Sequence, residues 1–290
     1  RNTQQTAARA TDRLDDPRAS VRGGLRELAR AVYERCLARK VEFHFGAAVT
    51  GVLEKDGRAS GVELADGSVA EADFVVAGVA PGVLDRLAEG TPVRGDGEVR
   101  PQPAAASRLT VLLALRGARP EGTAHRTVVH TRDRDAELDA LFGTAARDPH
   151  PTVTVLRPAD PRLAPEDHES VTLTTVVPAR PRQPHDDLVD HMITAAGRAV
   201  PGLRDRLLWH EVRTPADIAD ATGAEGGAVP VPALAAAGGR LLHPSNSTRV
   251  PGLFTVGGWA HPGGGLPHAG MSGALVAGLI VEGPEFRGSQ

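Results

Sequence analysis

One segment near the carboxyl terminus constrains the fold more than any other. It reads PGLFTVGGWAHPGGGLPHAGMSGALVAGLI and covers residues 251–280. Its apolar start predicts a strand, its glycines predict a loop, and the small residues after Pro267 predict a helix. Free backbone N–H groups at such a helix start favour a partly anionic ligand, and small residues let a flat ring approach closely. The segment is typical of a nucleotide or flavin site, although a tight turn before a packed helix explains the pattern equally well.

The first third of the chain predicts a helix followed by short strands. Apolar residues recur at helical spacing in LRELARAVYERCLARK (residues 25–40), and the next apolar run, VEFHF, predicts a strand. Asp-Gly pairs at 56–57 and 66–67 predict the two turns of a three-stranded meander. The run at 74–76 is fully apolar, as expected for a buried parallel strand.

The middle of the chain predicts a second group of strands with helices. Strands are expected at 109–115, 126–130, 153–156 and 171–177, bracketed by Pro-rich stretches. Asp186 and Asp187 open a predicted helix that runs to Val200, where Pro201 and Gly202 stop it, and Pro215 starts a further short helix. Residues 222–240 predict a loop.

Composition excludes several classes of function. With 33 Lys and Arg against 36 Asp and Glu, and 3% aromatic residues, the chain does not resemble a nucleic-acid binder. Cys36 is the only cysteine, so no intrachain disulfide forms. No metal site is predicted, because the histidines lack ligand spacing. No apolar run reaches the roughly 18–20 residues of a membrane helix, and no signal peptide is recognisable, so the chain is expected to be cytoplasmic.

The same carboxyl-terminal segment resembles the flavin-binding signature of the phytoene desaturase-like FAD oxidoreductases, which include carotenoid desaturases and isomerases. The resemblance rests on the order His-Pro-Gly-x-Gly-x-Pro, formed by His261, Pro262, Gly263, Gly265 and Pro267. It extends upstream to the Thr-Pro-x-Asp element at 214–217, to Gly-Gly-Leu at 23–25, and to residues 72–76, in register over almost the whole chain.

This resemblance implies an α/β fold: a partial FAD/NAD(P)-binding, Rossmann-like domain with an inserted mixed-sheet α+β substrate domain. The predicted division is a polar lead-in at 1–20, flavin-binding segments at 21–95 and 245–290, and a substrate-binding domain at 96–244. The family's G-x-G-x-x-G element is missing, because Arg100 and His268 stand where the third glycine would be needed. With no initiating methionine, the chain is interpreted as the carboxyl-terminal portion of a longer flavoprotein.

The resemblance also implies FAD as the cofactor and a set of residues along it. The implied cofactor-binding residues are Val49 (through its backbone), Gly257, Gly258, Trp259, His261, Pro262, Gly263, Gly264, Gly265, Leu266 and Pro267. Gly258 departs from many flavoproteins, which carry Asp or Ala there. His261 and His268 are candidate polar groups near the flavin, and a structural or loop-capping role is the alternative for each. Trp259 is a candidate wall of the flavin or of the substrate tunnel, with plain packing as the alternative.

The implied reaction removes hydride and proton from adjacent carbons of a long apolar substrate, a polyene or isoprenoid, with the cofactor doing the hard step. Two alternatives stay open: a truncated or split, non-catalytic flavoprotein whose amino-terminal half is a separate chain, and an amine oxidase-type flavoenzyme. Peripheral contact with a membrane is an open question, because no strongly basic amphipathic helix is found. A hydrolase is rejected, because the segment at 270–274 does not complete a G-x-S-x-G nucleophile elbow.

Overall fold

The computed structural model describes residues 21–88, 106–142, 150–179, 185–232 and 241–286. Contacts divide the chain into two compact units. The first contains residues up to Phe43 together with Arg108–Pro178 and Gln183–Thr214, and the second contains His44–Ser107, Ala179–Arg182 and Pro215–Gln290. The binding roles predicted for segments 21–95, 96–244 and 245–290 stay predictions.

The described residues form helices and strands that are interspersed along the chain. The helices are α1 (Leu25–Ala38), α2 (Pro81–Leu87), α3 (Arg134–Phe142), α4 (Asp186–Ala196), α5 (Leu203–Arg206), α6 (Pro215–Thr222) and α7 (Leu266–Glu282). The strands are β1 (Val49–Lys55), β2 (Arg58–Leu64), β3 (Val69–Glu71), β4 (Val75–Ala77), β5 (Ala106–Arg116), β6 (Arg126–Val129), β7 (Val153–Leu156), β8 (His168–Pro178), β9 (Leu207–Arg213) and β10 (Leu253–Thr255). The predicted α/β class is confirmed.

Local sequence signals account for where the main helices begin and end. A proline lies in the first turn of α2 and of α7, where its missing N–H costs no intrahelical bond. Asp186 and Asp187 lie in the first turn of α4, where their charge complements the helix dipole. Gly283, with φ at 92°, ends α7.

The first unit is built around a five-stranded sheet of order β6-β7-β8-β5-β9. The pairs β6–β7, β7–β8 and β5–β9 are antiparallel. Every second residue of β5 is buried, as the period of two of a strand requires when one face is covered. Helix α4 covers this core: its side chains Leu188, Met192 and Ile193 pack in one apolar cluster with Leu109 and Leu173 of the sheet.

The second unit holds two small sheets. The meander β1-β2-β3 is antiparallel, with its turns at the predicted Asp-Gly pairs. Strands β4 and β10 form a two-stranded parallel sheet. A small core of Ala59, Leu84, Ala88, Val250 and Leu253 joins the meander, α2 and the start of β10.

Three sequence predictions need correction. The run VEFHF forms no strand: Lys40 takes φ 64° after α1, and the Val41 N–H donates back to the Cys36 carbonyl, so the chain turns at this point. The run at 74–76 does contribute to a parallel strand, but Phe74 and Val76 are 39% and 44% exposed rather than buried. The helix that begins at Asp186 ends at Ala196, before Val200.

A buried ion pair joins strands and helices of the first unit. Arg157 and Glu169 are 3% and 2% exposed, and their side chains form two hydrogen bonds, at 2.7 and 3.0 Å. Arg206 donates to the same carboxylate at 2.9 Å. Burial alone would raise the pKa of the Glu169 carboxyl, but the hydrogen bonds and charges of the two arginines outweigh burial and hold that pKa below its ordinary value. The carboxylate is therefore charged in the folded protein and accepts hydrogen bonds from both guanidinium groups, of which that of Arg206 is partly exposed.

Replacing Glu169 with glutamine is expected to destabilise the protein by about 3 kcal/mol, because the buried guanidinium of Arg157 loses its counter-charge. Urea unfolding of the purified chain measures this cost. The control is Asp190→Asn, which removes an exposed partner of Arg204 and is expected to cost less than about 1 kcal/mol. Equal costs for the two variants would contradict the structural role given to the buried pair.

The same pair predicts a pH dependence with a definite sign. Because the folded-state pKa of Glu169 is lowered, its stabilisation is present above the unfolded pKa of about 4.3 and is lost as the pH falls through the folded value. The gap in unfolding free energy between the wild type and Glu169→Gln is therefore expected to narrow below about pH 4. Unfolding curves recorded from pH 7 to pH 3 test this, and a gap that stays constant would refute it.

Candidate functional site

The Gly-rich loop follows the parallel pairing of β10 with β4. Leu253, Phe254 and Thr255 pair with Val75, Val76 and Ala77, and the Val256 N–H extends the ladder to the Ala77 carbonyl at 3.0 Å. The chain leaves the sheet at Gly257, whose φ of 88° suits glycine. The loop then runs to Gly265, where α7 begins. The predicted order of strand, Gly-rich loop and helix is therefore confirmed.

Two backbone hydrogen bonds tie this loop to neighbouring segments. The His261 N–H donates to the Pro244 carbonyl at 2.8 Å, and the Gly264 N–H donates to the Val231 carbonyl at 3.0 Å. The peptide bond before Pro262 is cis. The residues that accept these two bonds, Pro244 and Val231, belong to the same compact unit as the loop.

Close approach of Pro230 explains two of the loop's glycines. A Cβ added at Gly264 would lie 2.4 Å from the Pro230 carbonyl oxygen, and one at Gly258 would lie 2.8 Å from Cγ of the same proline. By contrast, a Cβ at Gly257 would meet no atom within 4 Å. Gly258 and Gly264 therefore make room for the protein itself, whereas Gly257 has open space on its side-chain side.

The start of α7 presents unused backbone donors. Its N-cap, Gly265, has φ 106° and no side chain caps it. The first N–H to find a helical partner is that of Ala269, which donates to the Gly265 carbonyl at 2.9 Å. Pro267 has no N–H, so the donors left over in the first turn are those of Gly265, Leu266 and His268, which bond to no residue that the structure describes. Together with the helix dipole they favour a partly negative group.

The two candidate histidines hold different places. Nδ1 of His268 lies 2.9 Å from the Gly264 carbonyl oxygen, a contact that caps the loop onto the first turn of α7. His261 is half-buried, and its backbone N–H and carbonyl are both hydrogen-bonded within the loop's surroundings. Trp259 is half-buried beside the fully buried Ala260. Roles for His261, His268 and Trp259 next to a cofactor stay predictions.

Val49, the remaining predicted cofactor residue, lies elsewhere in the same unit. It begins β1, pairs with Leu64 and is partly exposed. The hydrogen bonds of the described residues do not join it to the Gly-rich loop. Its backbone contact with adenine stays a prediction.

Sequence reasoning missed two polar residues beneath the loop. Asn246 and Ser272 are 5% and 0% exposed and are hydrogen-bonded to each other at 2.9 Å. Asn246 stands in the polar stretch PSNST, which predicts only a turn, and Ser272 is one small residue among many in α7. Neither position carries a signal in periodicity or motif spacing; burial of an amide is visible only in the folded unit.

Searches for other kinds of site give negative results within the described residues. No group of three or more His, Cys, Asp or Glu side chains there is arranged to hold a metal ion. Likewise, none of the helices in the described ranges has the length and apolar character needed to cross a membrane.

Comparison with known proteins identifies the family. Residues 4–281 match the model of the flavin containing amine oxidoreductases. The chain belongs to this family. Hydroxyneurosporene desaturase from Rubrivivax gelatinosus is 32% identical over 280 residues, which are 90% of this chain and 51% of that protein. The 4,4'-diaponeurosporene oxygenase of Staphylococcus haemolyticus is 28% identical over 273 residues, 90% of this chain and 54% of that protein. The predicted resemblance to the carotenoid desaturase type is confirmed.

A solved member of the oxidoreductases shares the fold. An oxidoreductase from Methanosarcina mazei superimposes with a TM-score of 0.51 and 17% identity, over 87% of this chain and 53% of that chain. This flavin containing amine oxidoreductase chain thus spans about half the length of the curated relatives it matches.

Gly264 and Gly270 give opposite expectations for the same substitution. Gly264→Ala forces a methyl group against the Pro230 carbonyl and is expected to cost about 1–3 kcal/mol of stability. Gly270→Ala, in α7 with nothing within 4 Å of the new methyl, is expected to stabilise by about 0.5–1 kcal/mol. Thermal unfolding of both variants measures the two shifts, and a harmless Gly264→Ala would show that the loop does not press on Pro230.

Proposed function

We propose that this chain provides the flavin-ring end of the active site of an FAD-dependent, phytoene desaturase-like oxidoreductase that acts on a long apolar polyene or isoprenoid. The observation that carries the proposal is the uncapped start of α7, in the same strand–loop–helix segment as Gly257, which has open space on its side-chain side. Family membership and the names of the relatives support the cofactor class and the substrate class.

The residues present fit one end of FAD. The N–H groups of Gly265, Leu266 and His268 suit the pyrimidine edge of the ring, which becomes negatively charged on reduction. Gly257 leaves room for the ring to approach the loop. No G-x-G-x-x-G element exists in the sequence to bind the pyrophosphate, so this chain is proposed to supply the ring contacts and a partner segment to supply the phosphate contacts.

Bound FAD would accept hydride from the substrate. The chain's own contribution is orientation and electrostatics: the N–H groups at the start of α7 stabilise negative charge at one edge of the ring, and the anchored loop fixes their position. His268, through its contact with the Gly264 carbonyl, keeps the loop and the first turn of α7 together.

Two other functions remain to be tested against this one. An amine oxidase-type reaction is favoured by the description of the family. A truncated or split, non-catalytic flavoprotein is favoured by the missing dinucleotide-binding element. We also propose peripheral contact of the protein with a membrane, because polyene and isoprenoid substrates dissolve in bilayers.

Titration of the purified chain with FAD tests the proposed function. We expect flavin absorbance to elute with the protein on gel filtration. We also expect hydrogen to be removed from an acyclic carotenoid when a partner that carries the G-x-G-x-x-G element is supplied. Hydrogen peroxide formed from amines, with carotenoids unchanged, would instead assign the amine oxidase reaction. A colourless chain that retains no FAD would refute flavin binding by this chain alone.

Gly257→Ala is expected to weaken FAD binding about tenfold, because a methyl group enters the space proposed for the ring, and tenfold corresponds to about 1.4 kcal/mol. The matched control is Gly57→Ala, in the hairpin turn between β1 and β2. Gly57 also has a positive φ, at 73°, and open space for a Cβ, so both variants carry the same backbone strain. Fluorescence titration with FAD compares them, and an equal loss in both would refute a ring at Gly257.

A further inference from the structure

The two N–H groups of the Asn246 side-chain amide share three acceptors, which belong to three segments around the Gly-rich loop. Its Nδ2 lies 3.1 Å from the Thr255 carbonyl oxygen at the end of β10, 3.1 Å from the His261 carbonyl oxygen in the loop, and 2.9 Å from Ser272 Oγ in α7. With 5% of the residue exposed, these bonds form away from bulk water, where losing a partner is costly.

The backbone of Asn246 is fixed as well. The Thr255 N–H donates to its carbonyl at 2.8 Å, and Thr255 Oγ1 donates to the Ser245 carbonyl at 2.9 Å. Ser247 and Phe254 form an antiparallel bridge. The amide is therefore held against β10 by main-chain bonds before it reaches across to the loop and α7.

Ser272 completes the link. Its Oγ accepts from Asn246 and also from the Gly257 N–H, at 3.0 Å. The N–H of Gly257 is therefore bonded inside the protein and is not available to a cofactor. Gly257 is therefore proposed to leave space for the ring because it has no side chain, and not to donate its N–H to the ring.

We propose that Asn246 and Ser272 are positioning residues for the flavin: they lock the end of β10, the loop at His261 and the helix α7 into one geometry and so set where the free N–H groups of α7 meet the ring. The proposal rests on the proposed function of the loop. Neither residue touches the ring; both act through the groups they hold.

The bonding pattern argues for positioning beyond simple packing. An apolar pair of similar size would fill the same volume but would take a hydrogen-bond partner from the carbonyls of Thr255 and His261 and from the Gly257 N–H. The polar pair bonds all three of these backbone groups. Removing the Ser272 hydroxyl leaves the Gly257 N–H without its partner and takes away one of the three acceptors around the Asn246 amide. Gly257 and the loop after it are therefore expected to shift while the strand pairing of β10 remains.

The test compares Ser272→Ala, Ser272→Cys and Asn246→Asp with the wild-type chain loaded with FAD. We expect Ser272→Ala and Asn246→Asp to weaken FAD binding about tenfold and to move the midpoint potential of bound flavin to more negative values, because the donors that stabilise the reduced ring are displaced. Ser272→Cys keeps the shape with a weaker acceptor and is expected to lie between wild type and Ser272→Ala.

Thr248→Val is the matched control, because the Thr248 hydroxyl also bonds carbonyls beside β10, those of Val250 and Leu253, but not the loop. It is expected to lower the melting temperature without moving the potential of the bound flavin. Potentials unchanged in all variants, with FAD still bound, would overturn the positioning role and leave the proposed function intact. A wild-type chain that binds no FAD, alone or with a partner that carries the missing dinucleotide-binding element, would overturn both, and the two failures are thus distinguishable.

Discussion

Parallel pairing between β10 and β4 is the constraint on which the candidate site depends. These two short strands come from distant parts of the chain, and the ladder between them fixes the point at which the polypeptide leaves the sheet at Gly257. In parallel sheets the carboxyl ends of strands lie at one edge, and ligands bind outside that edge. The position of the loop and the direction of α7 follow from this pairing together with the anchors at Val231 and Pro244.

The two units differ in the size of their apolar cores and in the buried polar bonds beside them. In the unit built on the five-stranded sheet, alternating apolar residues meet α4, and the buried Glu169 carboxylate accepts hydrogen bonds from Arg157 and Arg206. In the unit that holds the Gly-rich loop, the apolar core is smaller, and buried polar bonds of Asn246 and Ser272 connect the segments around the loop. A site that must hold backbone donors still gains more from directional bonds than from non-directional packing.

The backbone N–H groups of the site differ in whether they already have a partner. Those of Gly257, His261 and Gly264 donate hydrogen bonds within the protein, whereas those in the first turn of α7 have no partner among the described residues. Of the glycines in the loop, some admit neighbouring backbone and one leaves open space. The residues of the motif therefore have different physical roles, although the motif itself does not distinguish them.

The sequence by itself determined most of the strands and helices, the turns at the Asp-Gly pairs, the strand before the loop, the helix after it and the family, because these depend on local conformational preference and on a motif of fixed spacing. It did not predict helix α3 or strand β9. It was wrong about VEFHF and about the burial of Phe74 and Val76, because apolar character does not say whether a neighbouring segment covers a residue. Only the tertiary structure decided that Asn246 and Ser272 meet beneath the loop, that Gly264 faces Pro230, and which N–H groups remain free. Those facts depend on contacts between segments far apart in the chain, and no local pattern encodes them.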